Sequence, residues 1–243
     1  MIKTQLRLAA NRLLAHRGLE ISHRRLESSP IDQLMLALKH FDIDLVIDVG
    51  ANTGHYAREL FAAGYAGEID SVEPLPDVHS ALVAAAQEQP RWNVLEQMAL
   101  GDSEGTVDIH IAGNSLSSSI LPMLDRHVNA APSSATIGRI TVPQRTLDAV
   151  CFERISNCRN VLLKIDTQGY EPMVLLGAER CLQRVRLVQL EMSLEPLYEG
   201  QQLWLEVVSD MLQRGFTVWA VQPEFCDPQT GQMLQINGLF VRT

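Results

Sequence analysis

The sequence lacks the spacings that mark a metal or redox site. Its four cysteines, Cys151, Cys158, Cys181 and Cys226, form no CxxC pair, and no His/Cys cluster has zinc spacing. Reduced thiols in a cytoplasmic protein are therefore expected. No apolar run approaches the ~18 residues of a membrane span. No apolar N-terminal core precedes a cleavage site, so secretion is not expected. Aromatic residues amount to 5%, and no aromatic-rich basic stretch offers bases a stacking platform. Positive charge is also short. Lys and Arg number 20 against 29 Asp and Glu, a net −9, which argues against nucleic acid as a partner.

What is present suits one well-buried domain: 243 residues, 46% of them hydrophobic. The charge is unevenly spread. Residues 1–25 hold six basic residues and one acid, +5, so the remainder carries −14. Within 2–16, Ile2, Leu6, Leu13 and the Leu8/Ala9 pair lie near helical spacing, predicting a basic amphipathic helix. Such a helix packs on the main domain, packs on a partner chain as in a homodimer, or docks peripherally on an anionic membrane surface. Ser28-Ser29-Pro30 breaks this leader from a helix over 31–39. The expected division is a helical extension, 1–40, and a main domain, 41–243.

From Leu45 onward strands and helices alternate. Strands are expected at 45–50, 68–73, 92–100, 161–166 and 186–192, and helices at 54–63, 77–88, 170–183 and 201–214. That alternation predicts an α/β, Rossmann-like fold: a mostly parallel sheet with helices on both faces. Residues 105–112 read as an extra strand. Residues 113–139, rich in Ser, Ala, Gly and Pro, show no period and read as a lid or substrate loop. Strands at 217–222 and 235–242 flank Asp227, Pro228 and Gly231, which predicts an antiparallel C-terminal hairpin.

The chemistry centres on LVIDVGANTGHYAREL, 45–60. In an open α/β sheet, ligands bind beyond the carboxyl ends of the strands. Gly50 falls at such an end, Gly54 opens the following helix, and Asp48 lies just inside the strand. A dinucleotide site needs G-x-G-x-x-G; here the spacing is G-x-x-x-G, and no Gly-Lys-Ser/Thr follows. A pyrophosphate is therefore poorly served. Glu73, ending EIDSVEP 25 positions after Asp48, is either an exposed strand-end acid or a ribose ligand. A ribose without pyrophosphate, beside a site for an amino-acid group, describes S-adenosylmethionine.

At these residues the chain resembles class I S-adenosylmethionine-dependent methyltransferases and, more narrowly, the FkbM family. The resemblance rests on VIDVGANTGHYA (46–57), VEP (72–74), MALGDSEGTVDIH (98–110), RTLDAV (145–150), LLKIDTQGYEPMVLLGA (162–178) and VQLEMS (188–193). It spans about 40–242 and implies a seven-stranded sheet. It implies that Asp48, Gly50, Asn52 and Gly54 line the methionine end of the cofactor. It implies further that Glu73, before Pro74, holds the ribose and that Ala99, Leu100 and Asp102 border the adenine. Asp102 either accepts from the adenine amino group or caps the Gly101–Gly105 turn.

The chemical edge is expected at LLKIDTQGYE. Lys164 and Asp166 share one strand face, and Asp166 sits at its carboxyl end as contact and first-choice base. Lys164 serves the chemistry or pairs with Asp166 or Glu191; Glu191 is a further substrate-side candidate. Glu171 is suited to a helix start. His110 and His127 are alternative bases or ordinary histidines. Ser115, Ser117, Ser118 and Ser119 offer hydrogen bonds to a polyhydroxylated acceptor. The resemblance implies O-methylation of a hydroxyl on a sugar, glycan or polyketide-type small molecule. Two acids at strand ends leave a divalent ion short of oxygens, so no metal is expected. The competing readings are an RNA or protein methyltransferase docking through the basic N-terminus, and a non-catalytic cofactor-binding module.

Overall fold

The computed structural model describes residues 10–17, 26 and 29–243. Residues 10–14 are helical and 15–17 continue as a short 3-10 turn. The rest of the expected leader helix, 2–9, and Ser28 lie outside the described residues.

Seven strands form one sheet in the order β3-β2-β1-β7-β8-β10-β9. They are β1 (Leu45–Val49), β2 (Glu68–Val72), β3 (Trp92–Val94), β7 (Val161–Ile165), β8 (Val185–Ser193), β9 (Phe216–Pro223) and β10 (Gln235–Arg242). Only β10 runs against its neighbours, being antiparallel to both β8 and β9. The expected mostly parallel seven-stranded sheet with an antiparallel C-terminal pair is present. β1 and β7 are buried at every position, as central strands covered on both faces must be.

Helices α1 (Pro30–His40), α2 (His55–Ala62) and α3 (Pro76–Ala86) cover one face. There Leu34, Ala37 and Leu38 of α1 join Val46, Ala57, Leu60, Leu82 and Leu162 in one apolar cluster. Further on come α4 (Asp125–Ala130), α5 (Leu147–Ser156), α6 (Glu171–Leu176), α7 (Glu179–Leu182) and α8 (Trp204–Gln213). The opposite face packs Leu45, Ile47, Leu163, Ile165, Val188 and Leu190 against Leu147, Cys151, Ile155 and Met211.

Several expectations need correction. The third strand is not continuous over 92–100: it stops at Val94 and resumes as β4 (Ala99–Leu100). β4, β5 (Gly105–Ala112) and β6 (Thr136–Arg145) make a second, three-stranded sheet. Segment 113–139 is not irregular. It carries a 3-10 turn at Ser115–Ser117, α4, another turn at Pro132–Ser134 and the start of β6. The helix expected over 170–183 is broken into α6 and α7 at Gly177 and Ala178. Gly177 leaves no room for a Cβ, which would lie 1.9 Å from the carbonyl oxygen of Gly101.

Candidate active site

The carboxyl ends of β1, β2 and β7 meet at a narrow slot of about 80 Å³. Gly50 allows this. Its φ of +74° is a left-handed conformation, and a Cβ there would stand 1.9 Å from the carbonyl oxygen of Asp166. Only glycine lets the ends of β1 and β7 approach so closely. One wall of the slot is apolar: Val72, Leu75, Met98, Ala99, Leu100 and Ile109. Their chemistry suits a flat ring.

Glu73 stands at the polar end of that wall, only 4% exposed. Its two carboxylate oxygens accept from the backbone N–H groups of Asn52 and Leu75, each at 2.9 Å. Burial pushes its pKa up, while those two donors oppose the shift. The exposed-acid reading is thereby excluded. Asn52, at φ +47°, donates its side-chain amide to Ser115 Oγ at 3.0 Å and so ties the glycine turn to segment 113–139.

Of the expected cofactor residues, Gly50, Asn52, Glu73, Pro74, Ala99, Leu100 and Asp166 line the slot. Three do not. Asp48 is fully buried behind it and pairs with Lys164 Nζ at 3.0 Å. Gly54, at φ +82°, backs onto Trp92, whose ring a Cβ would meet at 2.4 Å; the glycine serves packing. Asp102 is exposed and accepts from its neighbour Ser103 at 3.1 Å, in keeping with the turn reading.

A row of polar residues crosses the sheet beneath the slot. Ser71, Asp48, Lys164 and Gln189 are successive register partners on β2, β1, β7 and β8. Lys164 also approaches Asp166 at 3.6 Å and donates to the Gly50 carbonyl at 3.1 Å. Burial opposes its charge, but Asp48 first and then Asp166 outweigh burial and hold its pKa above the usual lysine value. Lys164 therefore stays protonated, which suits holding Asp166 and the glycine turn rather than taking a proton. Its expected ion pair with Asp166 is present; none with Glu191 is seen, and the closest carboxylate is that of Asp48.

Gln168 joins the site together. At φ +56° and 8% exposed, its amide nitrogen donates to Asp166 Oδ1 (3.0 Å) and Glu191 Oε2 (2.7 Å). The hydroxyl of Tyr198 lies 2.8 Å from its side-chain oxygen and 2.9 Å from the Ser117 carbonyl. Glu191 also accepts from Gln235 at 2.6 Å. Burial, then Asp166 and Glu171, push the Glu191 pKa well up. That favours a neutral Glu191 beside Asp166. No signal in a single sequence marks Gln168 or Tyr198, because apart from Asp166 the hydrogen-bond partners of these side chains lie 23 to 81 positions away.

The histidines do not reach the slot. His127 is 3% exposed and packs against Tyr198 and Phe225; burial lowers its pKa to about 4. His110 sits on the small sheet, its Nε2 beside Arg139 at 3.2 Å. The serines are largely engaged in pinning their own segment: Ser119 Oγ donates to the Gln168 carbonyl at 2.8 Å, and Ser118 Oγ accepts from Ala112 N–H at 3.1 Å.

This sheet order is that of the class I S-adenosylmethionine-dependent methyltransferase fold, and the candidate slot lies at the ends of β1, β2 and β7. Residues 48–218 match the methyltransferase FkbM domain, and the chain belongs to that family. It is similar to "2-O-methyltransferase NoeI" of Sinorhizobium fredii, 29% identical over 181 residues, 69% of this chain and 70% of that one. Among solved structures, magnesium protoporphyrin IX methyltransferase (ChlM) of Synechocystis, with bound SAM, covers 99% of this chain and 97% of its own at 12% identity and TM-score 0.47. The methyltransferase domain of bacterial CtHen1-C covers 90% and 99% at 12% identity and TM-score 0.49. Among the described residues no helix is long and apolar enough to cross a membrane.

Proposed function

We propose that this methyltransferase moves the methyl group of S-adenosylmethionine onto a hydroxyl oxygen of a sugar, glycan or polyketide-type small molecule. The observation that carries the reading is Glu73, a buried carboxylate fixed by two backbone N–H groups at the end of an apolar slot. The donor set fits the cofactor: apolar walls for the adenine, a carboxylate for the ribose hydroxyls, and the Asp166 carboxylate at the slot for cationic groups. The O-methyltransferase similarity supports oxygen as the acceptor atom.

When bound, the cofactor supplies a methyl group already activated by a positively charged sulfur. The protein's part is placement. Glu73 orients the ribose, and the Gly50 and Asn52 backbone passes the methionine end. Asp166, held by Gln168 and Lys164, receives the hydroxyl proton as the bond to methyl forms. Glu191, favoured neutral, braces Gln168. No metal ion takes part in this scheme. We further infer that 41–243 is the methyltransferase domain and 1–40 an extension, whose α1 docks on the α2 face. The acceptor is a small molecule or glycan rather than nucleic acid. A homodimer, or peripheral membrane contact through the leader, belongs to the same reading.

The test is turnover. With methyl-labelled cofactor and a panel of hydroxylated sugars and glycans, label should appear in an ether methyl and vanish with Asp166→Asn. Label on a nitrogen, or in RNA, would contradict the reading.

A further inference from the structure

A second hollow opens beside the slot. It is a cleft of about 800 Å³ between α1, α2 and the β8-β10-β9 part of the sheet, and Gly50, Asn52, Ser115, Leu116 and Asp166 are common to both. A molecule in the cleft therefore meets the slot at Asp166, where the proton acceptor is proposed.

Three amides on the strands line this cleft: Gln189 on β8, Gln222 on β9 and Asn237 on β10. Asn237 is the register partner of Gln222 on one side and of Glu191 on the other. Side chains alternate along a strand, so Gln189, Glu191, Asn237 and Gln222 share one face. Each amide is held at one end and open at the other. Gln189 accepts the Tyr56 hydroxyl at 2.8 Å, leaving its Nε2 without a partner among the described residues. Gln222 donates to Gln33 at 2.8 Å and to the Pro30 carbonyl at 3.1 Å, and Asn237 to Glu224 at 2.6 Å, leaving both side-chain oxygens without a partner among the described residues. Gln189 is only 7% exposed and lines the cleft, so its open donor is available to an occupant there. The row thus offers one donor and two acceptors at fixed positions. Hydroxyl groups, each donor and acceptor, match it.

Charge narrows the choice. Asp166, Glu59 and Glu224 line the cleft, with Arg58 and Lys164 as the cations. Lys164 is already matched by Asp48. Carboxylates are therefore in excess, and an anionic guest would meet like charge at short range.

We propose, resting on the methyltransferase reading above, that this cleft is the acceptor site, that Gln189, Gln222 and Asn237 set the acceptor's pose, and that it admits uncharged polyhydroxylated rings while rejecting those bearing carboxylate, sulfate or phosphate. The full chain, loaded with S-adenosylhomocysteine at pH 8, is applied to a glycan array holding uncharged and anionic members. Retention is expected on uncharged glycans and at least tenfold weaker on matched uronate, sulfated and phosphorylated ones. Asn237→Leu, at a half-exposed position, should cut retention tenfold while its affinity for S-adenosylhomocysteine stays within about twofold. Gln189→Leu should do the same; if that chain fails to fold, Asn237→Leu carries the test alone. Glu224→Lys should bring sulfated glycans into the retained set. Preference for anionic glycans, no retention on any glycan, or retention unmoved by Asn237→Leu would each overturn the proposal. Failure to bind S-adenosylhomocysteine at all would instead remove the reading beneath it.

Discussion

Glu73 is buried at a strand end where an ionised group is costly, and two backbone donors keep it in place. In the proposed complex its remaining lone pairs take the ribose hydroxyls. A hydrogen bond to a charged group contributes about 1.5–3 kcal/mol. Glu73→Ala should therefore weaken S-adenosylhomocysteine binding by roughly 100-fold or more, read by calorimetric titration. Equal heats in the two proteins would remove the ribose role. Glu171 gives a separate handle. It is buried, and Thr167 N–H, Gly169 N–H and the Thr167 hydroxyl all donate to Oε1, leaving Oε2 free to carry a proton. Burial lifts its pKa from 4.5 to about 7, Asp166 adding to the lift. A carboxyl whose folded pKa is raised contributes stability in full below about pH 4.5 and loses it as pH rises through about 7. The span corresponds to about 3 kcal/mol at most. Glu171→Gln should thus gain stability relative to the parent between pH 4.5 and 7, followed by denaturant melts at several pH values; a constant difference would deny the shift. At this scale the sequence spoke clearly where chemistry is local, as at Gly50, Glu73 and Asp166. It was silent on Gln168, Gln189 and Tyr198, because an amide or phenol gains its role only from strands brought together by folding.

Among the elements, the junction of β1 and β7 is the tightest. Gly50→Ala would place a methyl against the Asp166 carbonyl oxygen in a left-handed conformation. The conformation alone costs on the order of 1–3 kcal/mol, and the clash forces the two strand ends apart. The variant should show a lowered melting temperature together with lost cofactor binding; parent-like values for both would show that the ends can separate without harm. The central βα units were legible because fully buried strands read as continuous apolar runs, as LVIDV and VLLKI do. β6 was hidden for the opposite reason. TIGRITVPQR is mostly exposed, and Gly138 and Pro143 interrupt its β-branched residues, so no apolar alternation marks it. α5 left a signal that was passed over: Thr146 caps Ala149 N–H, and Leu147, Cys151 and Ile155 recur every four residues on its buried face. α4 is six residues long, too short for a period to emerge.

Over the whole molecule, charge is divided between a leader of +5 in residues 1–25 and a remainder of −14. The proposed site lies entirely in the acidic remainder. Deleting residues 1–25 should leave turnover on a small acceptor within about twofold while abolishing sedimentation with anionic vesicles at low salt. A large loss of turnover would join the leader to the site and weaken the proposed division at residue 40. The most direct measurement of the central claim is a crystal of the full chain soaked with S-adenosylhomocysteine. The adenine is expected between Leu75, Met98 and Leu100, with both ribose hydroxyls on the Glu73 carboxylate and the sulfur directed toward Asp166. The same molecule lodged elsewhere, or its ribose turned away from Glu73, would contradict it.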